Sequence, residues 1–498
     1  MEFESIKGDK IMYQEIYPKP CRILCSDGQF NFGAEVTLKI SKDFSKKESM
    51  PVLCDMWNNF TLGICRLNIL ETDCKDFFFI IGNPKEIELE KDMSYVVYTD
   101  EEGIAIKADS DLSLLHGFYT LLQIIRPVNL KQGEESFAVN CGRIDDAPDL
   151  SFRCMHFGIS LDTNLETLRK HFKMAAFLKF THFAIEFFGS LKFDCLPELA
   201  WPGAYGKEDL KPIFDEARAM GVELIPLFNS LGHAGMGNLM NCKNVVLDQN
   251  PRLALLFEPN GWSFCISNPD TIELVNAASD ELIELMGPGE YFHMGLDECL
   301  DFAICDLCYK KNKGEFLAEY VNSVAERMRK KGRKTMIWAD MLLNRSQFDP
   351  ELKVRTQKHF PVANATDKMP THEALGKIDK DVIIVDWQYY TEDKENPTAK
   401  HISENGYNVV TAPYNDFPNM QLMAENAGRN NYYGYMSTGW GLEKTNADLI
   451  LYSADVAWNA KRASDIDSFR LEERFHAVGN LQRKLLPRTA TYENAGWF

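Results

Sequence analysis

The chain has 498 residues, 45% of them hydrophobic and 26% charged. That composition is ordinary for folded domains, and the length holds roughly two to four of them, or one small domain beside a large barrel. The net charge of -19 would repel a polyphosphate, and no long basic cluster offsets it, which argues against nucleic acid and anionic membranes as partners. No run of about 18 apolar residues occurs, so no transmembrane helix is expected. The stretch Met1 to Lys10 lacks a basic segment followed by an apolar one. Thirteen cysteines without a small-domain framework then fit a reducing, cytoplasmic setting with free thiols.

In chain order, the first block carries strand-like pieces at Cys21–Cys25, Phe77–Ile81, Ser94–Tyr98 and Gly103–Lys107. A helix over Ser110–Ile124 follows, with apolar residues at helical spacing. Strands followed by a helix that can cover one sheet face predict a small α+β domain over residues 1–148. It contains no catalytic constellation. The segment Gly142-Arg-Ile-Asp-Asp-Ala-Pro-Asp149 reads as the turn-rich junction.

From Ser151 strands and helices alternate. Strands are predicted at Phe152–Gly158, Thr181–Phe187, Val222–Phe228, from Tyr291 onward, and at Lys334–Asp340, Val382–Gln388, Tyr407–Tyr414 and Gly434–Trp440. Helices are predicted at Leu165–Lys179, Glu208–Met220, Thr271–Met286, Phe316–Arg329 and Ala447–Ala460. Eight strands with room for crossover helices predict an α/β fold, a (β/α)8 TIM barrel over residues 149–498 with a helical C-terminal end. The segments around 235–265 and 342–380 are excursions from it.

Chemistry in such a barrel sits at the carboxyl ends of the strands. Those ends gather Glu186, Asn229 with His233, Asp297 with Glu298, Trp338 with Asp340, Trp387, Tyr414 with Asp416, and Trp440, while Arg153 lies near the start of the first strand. Neighbouring strand residues point to opposite faces, so Asp297 and Glu298 can share a site only where their strand yields to a loop. Carboxylates, a guanidinium and indole faces together suit a sugar: the rings stack on its apolar face and the charged groups take its hydroxyls. Each residue has a plainer reading. A lone tryptophan is commonly core packing, His233 could be a turn residue, Arg153 could pair structurally, and Asp297-Glu298 could cap a strand. Three tryptophans at three strand ends weigh against packing for all of them.

The stretch Tyr291-Phe-His-Met-Gly-Leu-Asp-Glu298 resembles the His-x-Gly-x-Asp-Glu signature of the family 20 glycoside hydrolases, the β-N-acetylhexosaminidases. The helix with Tyr119-Thr-Leu-Leu-Gln123, the junction Asp145 to Arg153, Ser230-Leu-Gly-His233 and Tyr414-Asn-Asp416 resemble further parts of that family in the right order. The resemblance implies an exo-acting enzyme that releases terminal β-linked GlcNAc or GalNAc with retention, assisted by the substrate's own 2-acetamido group. It makes Glu298 the general acid, Asp297 the orienter of the acetamido group, and Tyr414 the partner of its carbonyl. Trp338, Trp387 and Trp440 would wall the sugar, Arg153 and Asp416 would hold ring hydroxyls, and His233 would support the acid. Two alternatives stay open: another or modified β-glycoside, and a catalytically silent carbohydrate-binding protein.

The sequence departs from the family pattern in places. Leu296 stands where a second glycine is usual, and the second strand ends Ala184-Ile-Glu-Phe-Phe188, resembling the hexosaminidase D-like branch. Trp440-Gly-Leu-Glu443 replaces the usual Trp-x-Glu. No cofactor is expected. Cys299, Cys305 and Cys308 follow the acid closely, and a metal site there would need a further ligand such as Cys242 or Cys265. One Cys-x-x-Cys without a second pair favours free thiols. The expected partners are small carbohydrates or the non-reducing ends of glycans.

Overall fold

The computed structural model describes residues 16–73, 77–234, 244–348, 362–389, 395–441 and 447–462, with 478, 479, 481, 484 and 485. The first block forms β1 (Arg22–Phe32), β2 (Glu35–Ser41), α1 (Met50–Phe60), β3 (Arg66–Thr72), β4 (Phe77–Gly82), β5 (Tyr95–Asp100), β6 (Gly103–Ala108), α2 (Asp111–Ile124), β7 (Arg126–Asn129) and β8 (Ser136–Asp146). The strands build one eight-stranded sheet in the order β1-β8-β5-β6-β4-β2-β3, with β7 paired to β8. Among the described residues of this sheet, only β2 and β3 run parallel. Ser110 starts α2 by accepting the Ser113 N–H at 3.2 Å, as a serine N-cap does. The helix then lies on β5 and β6, where Trp57, Phe79, Phe118 and Phe137 are buried. This is the expected α+β unit, with one correction. Gly142 to Asp146 is the end of a long strand, not a turn.

The second part closes into a barrel of β9 (Phe152–Ile159), β10 (His182–Phe187), β11 (Glu223–Leu227), β12 (Tyr291–His293), β13 (Lys334–Trp338), β14 (Ile383–Trp387), β15 (Asn408–Ala412) and β16 (Gly434–Ser437). Every neighbouring pair is parallel, and β16 closes on β9 through Gly434 opposite Phe152. The helices are α3 (Leu165–Phe177), α4 (Lys207–Ala219), α5 (Val245–Gln249), α6 (Pro269–Met286), α7 (Lys313–Lys330), α8 (Pro397–Glu404), α9 (Phe417–Arg429) and α10 (Ala447–Trp458). Five of them begin after an asparagine, Asn164, Asn244, Asn268, Asn312 or Asn396, whose side chain accepts a first-turn N–H. Seven of the eight barrel strands are shorter than the sequence reading makes them, because loops take over at one or both ends of the apolar run, while β9 runs one residue further, to Ile159. The barrel interior is filled by alternate strand residues, among them Phe152, Cys154, Ile225, Met336, Val385 and Met436. It is a packed core with its polar residues at the ends.

The amino end of the barrel is sealed against the first sheet. Asp146 at the end of β8 accepts the Tyr95 hydroxyl at 2.5 Å, the Trp458 indole N–H at 2.9 Å and the Lys179 ammonium at 3.3 Å. Lys179, wholly buried, also donates to the Tyr95 hydroxyl at 2.6 Å. Burial lowers the lysine's pKa, and Asp146 restores part of it, to about 8.

Arg153 belongs to this end. Residues 152 and 154 fill the barrel, so the strand alternation turns Arg153 outward. Its guanidinium donates to the carbonyls of Leu150 at 2.6 Å and Lys179 at 2.8 Å and lies 4.7 Å over the Trp458 ring. The expectation that Arg153 holds sugar hydroxyls is therefore corrected. It is the second residue of β9, remote from the carboxyl ends, and its donors are engaged by buried main chain.

Candidate active site

At the opposite end β12 stops at His293, and the chain turns through Gly295 (φ 71°) and Leu296 (φ 90°) to Asp297 and Glu298 (φ 47°). Gly295 is required: a Cβ there would meet the Asn229 side chain at 2.3 Å. Leu296 holds a left-handed conformation that a branched side chain rarely adopts, at a cost of about 1–3 kcal/mol. Its side chain is completely buried, which keeps it there. This turn lifts the strand's alternation, so that both carboxylates reach one group. His233 Nε2 lies 3.2 Å from Asp297 Oδ2 and 3.4 Å from Glu298 Oε2.

The two acids differ in surroundings. The Asp297 side chain is 8% exposed and that of Glu298 39%, so the first is enclosed and the second faces the opening. Asp297 Oδ1 is buried without a hydrogen-bond partner among the described residues. The Glu298 main chain is held on both sides. Its N–H donates to Asp340 Oδ2 at 2.9 Å, and its carbonyl accepts the Trp262 indole N–H at 2.6 Å. Asp340 also accepts from Asn364 Nδ2 at 2.8 Å and from Trp387 Nε1 at 3.0 Å.

Titration follows from these contacts. Burial alone would lower the pKa of His233, but Asp297 and Glu298 outweigh it and hold the ring well above its ordinary 6.5. Trp262 lies against that ring at 4.4 Å between centroids. Burial, and then the charge of Asp297, push the Asp340 carboxyl up despite its donors. His293 is driven well below 6.5 by burial and then by His156, and its Nδ1 accepts the Gly295 N–H at 3.1 Å.

Aromatic side chains from the ends of β13, β14, β15 and β16 form the wall. Trp338, Trp440 and His156 cluster, with Trp338 and Trp440 centroids 5.9 Å apart and His156 4.8 Å from Trp440. Trp440 Nε1 donates to the Tyr389 hydroxyl at 2.7 Å, and the Tyr389 ring lies 5.1 Å from Trp387 and 5.3 Å from Tyr414. Trp338 is fully buried with its indole N–H unpartnered among the described residues. Beneath the wall, Glu186 bridges His156 Nε2 at 3.0 Å and Asn229 Nδ2 at 2.6 Å.

The structure thus brings together Asp297, Glu298, His233, Trp338, Trp387, Trp440 and Tyr414. Asp416 sits beside Tyr414 as the N-cap of α9, with Oδ1 accepting the Asn419 N–H at 2.8 Å; half of its carboxylate is committed to the helix. Glu443 lies outside the described residues. Sequence reasoning missed Trp262 and Tyr389. Tyr389 was findable, two residues past Trp387 and hence on the same side of an extended chain. Trp262 lies in an excursion with no strand to place it. Of the cysteines, Cys299 stands apart with its thiol 3.3 Å from the Leu296 carbonyl, and Cys242 lies outside the described residues.

A sequence profile of the catalytic domain of glycosyl hydrolase family 20 matches residues 188–497, more than half of the chain. The chain belongs to glycosyl hydrolase family 20. The match begins at Phe188, just past the β10 ending that departs from the family pattern.

Within family 20, the chain is similar to a β-hexosaminidase of Porphyromonas gingivalis, 24% identical over 374 residues that cover 66% of this chain and 45% of that protein. It is similar also to a chitooligosaccharidolytic β-N-acetylglucosaminidase of Bombyx mori, 23% identical over 68% of this chain and 57% of that one. These alignments span about half the length of the curated relatives. In fold it resembles a family 20 exo-β-N-acetylglucosaminidase from Vibrio harveyi crystallised with N-acetylglucosamine. That likeness has a TM-score of 0.68 at 16% identity, covering 96% of this chain and 79% of the other.

Proposed function

We propose that the chain is an exo-acting β-N-acetylhexosaminidase that removes terminal β-linked GlcNAc or GalNAc with retention, using the substrate's acetamido group as nucleophile. The observation that carries this reading is the convergence of Asp297 and Glu298 on the His233 ring beneath an aromatic wall. Family membership and the names of its relatives support it.

Glu298, the more open acid, donates its proton to the glycosidic oxygen as the bond to the anomeric carbon breaks. The acetamido carbonyl oxygen closes on that carbon from the other face and forms an oxazolinium ion. Asp297 is the group to hold it: its unpartnered Oδ1 accepts the acetamido N–H, and its charge stabilises the positive ring. Tyr414 donates to the acetamido carbonyl, and Trp338, Trp387 and Trp440 enclose the sugar. Water, deprotonated by Glu298, then opens the ring from the face the aglycone left, which retains the configuration. His233 faces the Asp297 carboxylate throughout, and both carboxylates once Glu298 has given up its proton, and takes no proton in the cycle.

A panel of aryl β-glycosides with and without the 2-acetamido group tests this, together with a thiazoline analogue of the oxazolinium ion. The expected result is turnover of N-acetyl substrates alone and strong competitive inhibition by the thiazoline. Equal rates on glycosides lacking the acetamido group would overturn substrate assistance.

A further inference from the structure

Beside the acid, the loops that follow β11 and β12 bring together Glu258, Cys265, Cys305 and Cys308. One ligand atom from each lies within 4.8 Å of all the others. The Cys265 sulfur is 3.5 Å from that of Cys305 and 3.7 Å from that of Cys308. A disulfide requires about 2.05 Å, so these are not bonded sulfurs. Three thiolates around one tetrahedral zinc, each about 2.3 Å from the ion, would stand about 3.8 Å apart. The observed spacing is close to that.

Glu258 supplies an independent sign. It is 1% exposed, its Oε2 accepts the N–H groups of Ile304 and Cys305 at 2.9 and 2.7 Å, and its Oε1 is buried with no partner among the described residues. A carboxylate fixed through one oxygen by main-chain donors, with the other buried and unused, is oriented as a ligating group should be. Cys305 and Cys308 lie on a tight turn closed by the Cys308 N–H on the Cys305 carbonyl at 2.9 Å. Ser267 Oγ, 3.2 Å from Cys308 Sγ, can donate to a thiolate there.

We propose that Glu258, Cys265, Cys305 and Cys308 bind one structural zinc ion, or another tetrahedral thiophilic dication in its place. Three sulfurs and one oxygen suit such an ion and leave no open position for substrate water. Binding exchanges three thiol protons for the metal, with no change of oxidation state. The site ties the loop that carries Trp262, between Glu258 and Cys265, to the loop that carries Glu298. The indole bond to the Glu298 carbonyl spans the same two loops. The ion is a positioning device for the acid and takes no part in the chemistry.

The test is metal analysis of the full chain purified without chelator after expression in zinc-supplemented medium. About one zinc per chain is expected, falling at least tenfold in Cys308→Ser and in Glu258→Gln and unchanged in Cys195→Ser, whose cysteine lies outside the cluster. Cobalt exchanged into the wild-type protein should give the intense thiolate charge-transfer and visible d–d bands of a tetrahedral site, a readout that needs no variant to fold. Removing the metal with a chelator should lower the melting temperature of the wild type. A wild-type chain without stoichiometric metal and without cobalt–thiolate bands would overturn the proposal. So would a Cys265–Cys305 disulfide in the intact mass, or full metal retention in Cys308→Ser.

Discussion

At the amino end of the barrel Asp146, Lys179, Arg153, Tyr95 and Trp458 combine a carboxylate, two cations and two aromatic rings. At the carboxyl end Asp297, Glu298, His233, Tyr414 and Trp338 combine nearly the same set. What separates the two ends is satisfaction. Both Asp146 oxygens have donors, and the Arg153 guanidinium is spent on carbonyls. At the other end Asp297 Oδ1 and the Trp338 indole N–H are buried and unpartnered among the described residues, while Glu298 is partly open. A buried polar group without a partner costs about 1–3 kcal/mol. One end thus stores stability, and the other leaves hydrogen-bonding capacity for a ligand to complete.

The sharpest way to break this contrast is Glu298→Gln. It should lower kcat on N-acetyl substrates by about 10²–10⁴-fold while leaving the melting temperature near wild type. An unfolded variant would make Glu298 a structural acid like Asp146. Next, Lys179→Met leaves Asp146 buried without its cation and should destabilise the chain by about 3–5 kcal/mol in denaturant titration. The protein that remains folded should keep its KM. Arg153→Lys discriminates the two ends directly. It should cost about 1–3 kcal/mol of stability through lost bonds to buried carbonyls and leave KM for the glycoside unchanged; a KM rise without destabilisation would return Arg153 to the sugar.

The smallest effect concerns His233. Its pKa is raised in the folded chain, so the stability it contributes is full below its unfolded value of about 6.5 and fades as pH rises toward the folded one. The melting-temperature gap between wild type and His233→Gln should be widest below about pH 6.5 and narrow above it. A gap that widened with pH would mean that the ring is neutral and that its ionic contact with the two acids is absent.

Much of this was readable from the residues. All eight barrel strands lie where apolar runs put them, because strands buried on both faces must be apolar throughout. The first sheet was harder. β3 is an edge strand with β2 beside it, and the exposed Glu35, Thr37, Arg66 and Glu71 break their apolar pattern, while the end of β8 carries Asp145 and Asp146, whose partners, Arg22, Arg143 and Lys179, are set by the tertiary fold. The same blindness explains Arg153. A sequence shows that a guanidinium stands near a barrel strand, but which face of the strand it takes depends on what its neighbours bury. Asp297, Glu298 and the wall tryptophans were legible because they fall at strand ends. Trp262 and the ring of sulfurs around Cys265 depend on excursions whose paths no periodicity records.

Besides the His233 contact on its carboxyl, Glu298 is gripped through its peptide groups. Asp340 holds the N–H and Trp262 the carbonyl, and neither bond depends on whether the side chain carries a proton. An acid that must surrender and regain a proton in every turnover would loosen any anchor that relied on its charge. In the proposed mechanism this main-chain anchor is indifferent to that cycle, so the peptide of residue 298 keeps its place in both ionic states of the side chain.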